Sequence, residues 1–290
     1  MPLGLAEFAY RAGRAGLVTP VISATGGVAP DAAARDLPDA RLRAPLVPVG
    51  GGKDSVVSVW LLGAADLDVT QVAVNPNSII ERVMAGADVP SVSVRRRIDP
   101  ALLDWNANGA LNGHVPVTAM NILICAAQAL LLGAGPVVMS NEASASEATL
   151  DWHGTAVNHQ WSKSIEAEAA LGHALAAQTG YADLSFSLLR PFSELGIARL
   201  FGATTGFEHL IVSCNRAYRM SGAAPSWCGD CDKCRFVFLA FAATLGLDRT
   251  IAIVGRDLFD DASQLAGYEA LLGLGPVSYT HLTLPTKRIV

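Results

Sequence analysis

The sequence predicts an α/β protein with an open parallel sheet and flanking helices, and three observations support this prediction. From residue 46 onward, short runs rich in β-branched residues alternate with longer helical runs, which is the pattern of parallel βαβ units. A glycine-rich hexapeptide separates the first predicted strand from the first predicted helix. Cysteines between residues 214 and 234 indicate a small C-terminal segment held by a metal site.

The predicted strands and helices follow from hydrophobic periodicity and from the turn residues between them. Strands are predicted at residues 46–49, 71–75, 91–94, 137–140 and 184–188. Helices are predicted at residues 55–64, 78–85, 117–132 and 165–178. Ligands of open parallel sheets bind beyond the carboxyl ends of the strands, so we expect the polar segments that follow the strands to share one crevice.

The glycine-rich hexapeptide predicts a phosphate-binding loop. Three successive glycines allow a ligand close to the backbone, and the N–H groups that open the next helix converge where an anion would bind. The Walker pattern is excluded by Asp54 and the dinucleotide fingerprint by Ser55, which leaves an ordinary strand-to-helix turn as the alternative. The candidate ligand-binding residues are Gly50, Gly51, Gly52, Lys53, Asp54 and Ser55.

Asp54 predicts a divalent cation at this loop. A carboxylate beside a polyphosphate is repelled unless a cation lies between the two. We therefore expect Mg²⁺ to accompany the phosphates.

Composition limits the classes of partner. The chain of 290 residues is 51% hydrophobic, enough for a large core, and its net charge of −5 provides no global basic field for nucleic acid. The uncharged run at residues 115–140 is interrupted by Pro116 and Asn121, so we expect a buried helix and a strand rather than a membrane span. The N-terminus lacks the pattern of a secretory signal, which predicts a cytoplasmic protein.

The two ends of the chain differ from its middle. Residues 1–44 are weakly patterned and too short for a domain, so we expect a remnant of, or linker to, a missing N-terminal domain. Residues 277–290 resemble a translated sequencing adapter and are left out of the fold prediction as a non-native tail. The ligand-binding domain is expected at residues 45–275.

The cysteine cluster predicts a structural metal site. Two-residue spacings let successive thiolates face one tetrahedral ion, and metal is favoured over disulfide in a chain without a secretory signal. Zinc fits best, while an iron–sulfur cluster and redox or coincidental cysteines remain alternatives. Cys125 lies in an apolar helical run and is predicted to be a core residue. The candidate ligands are Cys214, Cys228, Cys231 and Cys234.

The glycine loop by itself is similar to that of the PP-loop ATP pyrophosphatases (adenine nucleotide α-hydrolase-like), with Gly50 in place of the usual leading Ser. Five segments are informative together: residues 47–55, 113–119, 141–147, 158–164 and 228–236. In combination they resemble one family, the UDP-N-acetylmuramoyl-L-alanyl-L-glutamate epimerases of peptidoglycan synthesis. The resemblance covers roughly residues 1–275, and its motifs are specific in combination.

This resemblance implies a function for the domain at residues 45–275. The family inverts the terminal L-Glu of UDP-MurNAc-L-Ala-L-Glu by way of an acyl-adenylate. The resemblance implies that the glycine loop binds ATP, which is consumed, together with Mg²⁺. Another PP-loop enzyme, tRNA-thiolating or 7-deazaguanine-forming, is the first alternative, although neither a basic face nor a loop cysteine pair is visible. A non-catalytic nucleotide-binding module is the second alternative.

The reaction implied by this resemblance requires an acid and a base for proton transfer at the glutamate α-carbon. Imidazole titrates near neutrality, and burial can lower the pKa of a lysine. Polar segments that follow a predicted central strand supply such groups, although solvated loops and helix caps would look similar. The candidates for proton transfer are His159, Lys163, His114 and Glu142.

Overall fold

The computed structural model describes residues 3–14, 34–110, 116–218 and 225–274. The strands are β1 (Leu46–Pro48), β2 (Thr70–Val74), β3 (Ser91–Val94), β4 (Val137–Met139), β5 (Leu150–Trp152), β6 (Thr155–Val157) and β7 (Ser185–Ser187). The helices are α1 (Ala6–Arg11), α2 (Asp39–Leu42), α3 (Lys53–Ala64), α4 (Ser78–Gly86), α5 (Ala101–Ala107), α6 (Val117–Leu132), α7 (Ile165–Thr179), α8 (Glu194–Phe201), α9 (Asp232–Leu245), α10 (Leu247–Val254) and α11 (Leu265–Leu271).

Five of the strands form one parallel sheet in the order β3-β2-β1-β4-β7. The predicted open parallel sheet is therefore confirmed, and each predicted strand is present. The sequence prediction missed the antiparallel hairpin of β5 and β6, because only Val157 of its six strand residues is buried and no continuous apolar run marks them. This hairpin lies between β4 and α7, within the polar region that was predicted to face a ligand.

Successive side chains of the strands pack against helices on opposite faces of the sheet. On β1, fully buried Leu46 packs in a cluster with Ile122 and Cys125 of α6. Its neighbour Val47 points the other way and packs in a cluster with Val59 of α3. A strand buried on both faces is apolar throughout, which explains the continuous apolar runs in the sequence.

Local signals set the helix ends. The Asn77 side chain accepts hydrogen bonds from Ile79 N–H at 3.1 Å and Ile80 N–H at 3.0 Å, which caps α4. Ser164 caps α7 in the same way, accepting from Ala167 N–H at 3.2 Å. These two N-caps begin the helices where the preceding loops end.

Helix α6 corrects one expectation. It was predicted to be buried, but only one of its faces is, and Leu131 on the opposite face is 82% exposed. Pro116 and Gly133 bound it as expected. Among the described residues, no helix is long and apolar enough to cross a membrane.

The strand order places a switch point between β1 and β4. From β1 the chain moves outward to β2 and β3, and it then crosses back to β4 and continues to β7 on the other side. The loops that follow β1 and β4 therefore diverge and leave a crevice between them. The glycine loop and the segment that begins at Ser140 flank this crevice.

Candidate functional site

The glycine loop has one position that requires glycine and one that is open. Gly51 has a φ of +81°, a conformation that side chains disfavour, and a Cβ there would lie 2.6 Å from Tyr218 Oη and 3.0 Å from Ile79 Cγ2. A Cβ on Gly50 would meet no atom within 4 Å among the described residues. The loop is thus packed on one side and open on the other.

The N-terminus of α3 follows the loop and fits an anion. Gly52 is the N-cap residue in an extended conformation, and it offers no side chain to accept from the first N–H groups of the helix. The helix dipole adds partial positive charge at the same point. Backbone donors beside an open glycine are what a phosphate chain needs.

Lys53 lies beneath the loop rather than in the crevice. Its side chain is 1% exposed, and its ammonium lies 2.5 Å from Asp54 Oδ1 and 2.5 Å from Glu194 Oε2. Burial lowers the pKa of Lys53, but the charges of Asp54 and Glu194 outweigh burial and raise it above the usual value. The Lys53 side chain is therefore a buried ion-pair partner.

Glu194, the first residue of α8, is an acidic group that sequence reasoning missed. Burial raises its pKa, but the neighbouring Lys53 and Lys233 outweigh that effect and hold the pKa at about 2. Lys233 Nζ lies 3.8 Å from Glu194 Oε1. Glu194 is thus an anion between two cations, and no motif in the sequence marked it.

Glu142 brings the second loop into the same electrostatic cluster. It is buried at the carboxyl end of β4, and burial raises the pKa of its carboxyl above the usual range, as does the charge of Glu194. Three smaller effects on the pKa of Glu142 follow, in decreasing order: the charge of Lys163 lowers it, that of Asp54 raises it and that of Lys233 lowers it. The structure therefore gathers two of the predicted proton-transfer residues, Glu142 and Lys163, beside the glycine loop.

Arg190 fixes the backbone of both residues. Its guanidinium donates to the carbonyl oxygens of Glu142 at 2.9 Å and Lys163 at 2.8 Å, and it pairs with Glu168 at 2.8 Å. Arg190 was not among the sequence candidates. Its place shortly after the predicted strand at residues 184–188 was the signal that could have found it.

Of the two histidine candidates, the structure describes His159 but not His114. His159 Nδ1 lies 2.6 Å from Thr149 Oγ1, next to the hairpin of β5 and β6. His114 lies outside the described residues. The structure therefore places one of them near the hairpin and says nothing about the other.

The four predicted cysteine ligands converge. All four sulfur atoms lie within 4.8 Å of one another, with separations of 3.9 Å for Cys214–Cys231, 3.8 Å for Cys228–Cys234 and 3.5 Å for Cys231–Cys234. A tetrahedron with metal–sulfur bonds of about 2.3 Å has edges of about 3.8 Å. The cluster can bind a metal, as the spacing predicted. Cys125 is buried and lies apart from this cluster, as expected.

Arg235 links the residues around the cysteine cluster by hydrogen bonds. Arg235 donates to Asp230 at 2.9 Å, Asp232 at 3.0 Å and Gln264 at 2.9 Å. Helix α9 begins at Asp232, so Cys234 lies within its first turn. Arg235 therefore joins the loop between Cys228 and Cys231 to the start of α9 through Asp230 and Asp232.

The fold and site together define an α/β protein with a glycine loop at the switch point of a parallel sheet and a four-cysteine cluster beside it. Comparison with known families gives a more specific result. The profile of the MurL N-terminal domain matches residues 2–188, and that of the MurL C-terminal domain matches residues 210–278. The chain belongs to the MurL family.

Curated relatives agree with this assignment. Each is named UDP-N-acetyl-alpha-D-muramoyl-L-alanyl-L-glutamate epimerase: that of Salinispora tropica is 49% identical over 273 residues, that of a Micromonospora species 50% over 273, and that of Xanthomonas oryzae pv. oryzae 42% over 275. The matches cover 93% of this chain but only 59%, 60% and 59% of the respective relatives. The family expected from the five motifs is confirmed.

Proposed function

We propose that the chain carries the ATP-binding and proton-transfer centre of an epimerase that inverts the terminal L-Glu of UDP-MurNAc-L-Ala-L-Glu during peptidoglycan precursor synthesis. One observation supports this most: the uncapped N-terminus of α3 lies across the switch point from buried Glu142, and Lys163 is close enough for its charge to lower the pKa of Glu142. Anion-binding donors and candidate acid–base groups thus flank one crevice. The name of the relatives supplies the substrate.

The chemistry explains why a phosphate site would lie beside acid–base groups. Removing the α-proton of glutamate is very unfavourable while the adjacent carboxylate is charged. A carboxylate oxygen that attacks the α-phosphorus of ATP displaces pyrophosphate and forms a mixed anhydride, which acidifies the α-carbon. Proton removal, return of a proton to the opposite face and hydrolysis then release the D-Glu product and AMP.

In this proposal the glycine loop binds the pyrophosphate portion of ATP. The N–H groups at the start of α3 and the Ser55 hydroxyl donate to the phosphate oxygens. The Lys53 ammonium lies 2.5 Å from Asp54 and partly neutralises it. Asp54 could therefore bind Mg²⁺ together with the phosphates without placing its full negative charge against them. Carboxylate oxygens such as those of Asp54 are ligands that suit Mg²⁺.

Glu142 and Lys163 are the proposed proton-transfer pair. An inversion needs one group to remove the proton and another to return it on the opposite face. Burial keeps the Glu142 carboxyl ready to hold a proton, and Arg190 fixes the backbone of both residues. His159 and His114 stay as further candidates from the sequence.

Zinc is the proposed metal of the four-cysteine cluster. Four thiolates leave no open coordination position, so the ion would be structural. The ligands come from the loop before α9 and from α9 itself, so the ion would hold the C-terminal helices against the glycine loop. An iron–sulfur cluster would instead give a coloured protein.

Release of AMP and pyrophosphate tests the proposal and separates it from its rivals. The chain and a full-length relative are each incubated with Mg²⁺ and ATP, alone and with UDP-MurNAc-L-Ala-L-Glu, tRNA or a carboxylated deazaguanine. AMP formed only with the muramoyl dipeptide supports the epimerase. AMP formed with tRNA or the deazaguanine acid identifies another PP-loop enzyme, and ATP binding without AMP identifies a binding module.

A further inference from the structure

The segment that supplies the first cysteine ligand also contacts the glycine loop. Val212 N–H donates to the Gly51 carbonyl at 3.0 Å. The Tyr218 hydroxyl lies 3.0 Å from the Gly50 carbonyl oxygen and 2.9 Å from the Val212 carbonyl oxygen, and its proton is shared between them. Cys214 lies between these two contacts along the chain, so one short segment touches both the loop and the cysteine cluster.

These contacts set the direction of the N–H groups in the loop. The Gly50 carbonyl belongs to the same planar peptide unit as the Gly51 N–H, and the Gly51 carbonyl to the same unit as the Gly52 N–H. In a trans peptide the carbonyl and the N–H point in opposite directions. Tyr218 and Val212 hold the two carbonyls on the packed side, and the two N–H groups are thereby turned toward the open side.

The packing leaves the segment little freedom to shift without moving the loop. A Cβ on Gly51 would lie 2.6 Å from Tyr218 Oη, and a Cβ on Gly52 would lie 3.0 Å from Ser213 Oγ. Both distances are shorter than ordinary van der Waals contact. A displacement of Cys214 is therefore transmitted to the backbone of the glycine loop.

We propose that Tyr218 is a positioning residue through which metal binding at the four-cysteine cluster and nucleotide binding at the glycine loop reinforce each other. The metal fixes Cys214, Cys214 fixes the segment at residues 211–218, and Tyr218 holds the Gly50 peptide in the orientation that binds phosphate. This inference rests on the proposed function, because it takes ATP to be the ligand of the loop. Linkage makes the effect reciprocal, so bound ATP retains the metal more tightly.

The test compares Tyr218→Phe with Tyr268→Phe in the zinc-loaded chain. Both changes remove one hydroxyl and keep the ring, but the Tyr268 hydroxyl is buried without a hydrogen-bond partner among the described residues. The dissociation constant of Mg²⁺–ATP is measured by calorimetry. The rate of zinc loss to an excess of a coloured chelator is measured with and without Mg²⁺–ATP, which requires no stable metal-free protein.

For the unsubstituted chain and for Tyr268→Phe we expect Mg²⁺–ATP to slow zinc loss by about fivefold or more. For Tyr218→Phe we expect ATP to bind about three- to tenfold more weakly, the loss of one hydrogen bond, and zinc loss to become nearly insensitive to ATP. An unchanged thermal midpoint for Tyr218→Phe shows that the protein remains folded.

The two ways of failing are distinct. If ATP binds but leaves the rate of zinc loss unchanged, or if Tyr218→Phe behaves like Tyr268→Phe, the coupling is overturned and the proposed function stands. If the zinc-loaded chain binds no ATP at all, the coupling and the proposed function are both overturned.

Discussion

The ammonium of Lys53 lies 2.5 Å from the carboxylate of Glu194, a residue 141 positions further along the chain. Lys53 opens α3 directly after the glycine loop, and Glu194 opens α8. The same ammonium lies 2.5 Å from Asp54. One buried cation therefore joins the loop to the C-terminal helices and partly neutralises two carboxylates near the crevice.

Removing this cation should destabilise the fold strongly. Lys53→Met removes the buried cation that Asp54 and Glu194 share and leaves Glu194 with only the more distant Lys233, 3.8 Å away. We expect a loss of about 3–5 kcal/mol in the free energy of unfolding. The double variant with Glu194→Gln should lose less than the sum of the single changes, because it removes one of the uncompensated charges. Urea unfolding of the four proteins measures this.

The exposed pair of Arg43 and Asp66, 3.8 Å apart, provides the matched control. Asp66→Asn should leave the free energy of unfolding nearly unchanged, since water screens an exposed pair. Equal losses for Lys53→Met and Asp66→Asn would show that the buried ion pair is not a structural link.

The stability that Glu194 contributes should depend on pH. Its folded pKa of about 2 lies below the usual value of 4.5, so its contribution is complete above pH 4.5 and is lost as the pH falls toward 2. At pH 7, Glu194→Gln should therefore be less stable than the unsubstituted chain by on the order of 3 kcal/mol. The two unfolding free energies should converge below pH 3, and a gap that stays constant from pH 7 to pH 3 would contradict the low pKa.

Replacing Glu142 should increase the stability of the protein at neutral pH but reduce its activity. The pKa of Glu142 is raised by burial, so its favourable contribution exists at low pH and is lost as the pH rises above the usual value of 4.5. Glu142→Gln should accordingly increase the free energy of unfolding at pH 7, and the difference should shrink toward pH 4. The same change should reduce α-proton exchange by about 10²-fold or more, because the amide cannot transfer the proton. A variant that keeps full exchange activity would remove Glu142 from the proton-transfer pair.

The sequence predicted the sheet, the glycine loop and the cysteine ligands because each depends on a local pattern. Alternation of apolar runs marks buried parallel strands, and the spacing of Cys228, Cys231 and Cys234 brings three sulfur atoms to one point. Glu194 could not be predicted, because its role depends on a contact with Lys53 across 141 residues. The position of Arg190 after a predicted strand was a signal, but its contact with Glu142, across 48 residues, had no sequence pattern. The burial of Lys53 was missed for the same reason, since its partner belongs to a distant helix.

Thiol reactivity should separate the four cluster cysteines from Cys125. With zinc bound, we expect rapid modification of none of the five cysteines, and after chelation we expect four to react. Cys125 should stay unreactive in the folded chain, because burial raises its pKa to about 12 and keeps it as a thiol. Mass spectrometry after brief alkylation, with the unfolded chain as the control for complete modification, counts the reactive groups. Modification of Cys214 in the zinc-loaded protein would exclude it as a ligand.

The most direct measurement of the central claim is the incorporation of deuterium at the glutamate α-carbon of UDP-MurNAc-L-Ala-L-Glu in heavy water. If the glycine loop activates the carboxylate with ATP, the label should appear only when Mg²⁺ and ATP are both present, with one AMP released for each product molecule. It should be strongly reduced in Lys163→Met. Exchange that proceeds equally well without nucleotide, in this chain or in a full-length relative, would contradict the claim that carboxylate activation precedes proton transfer.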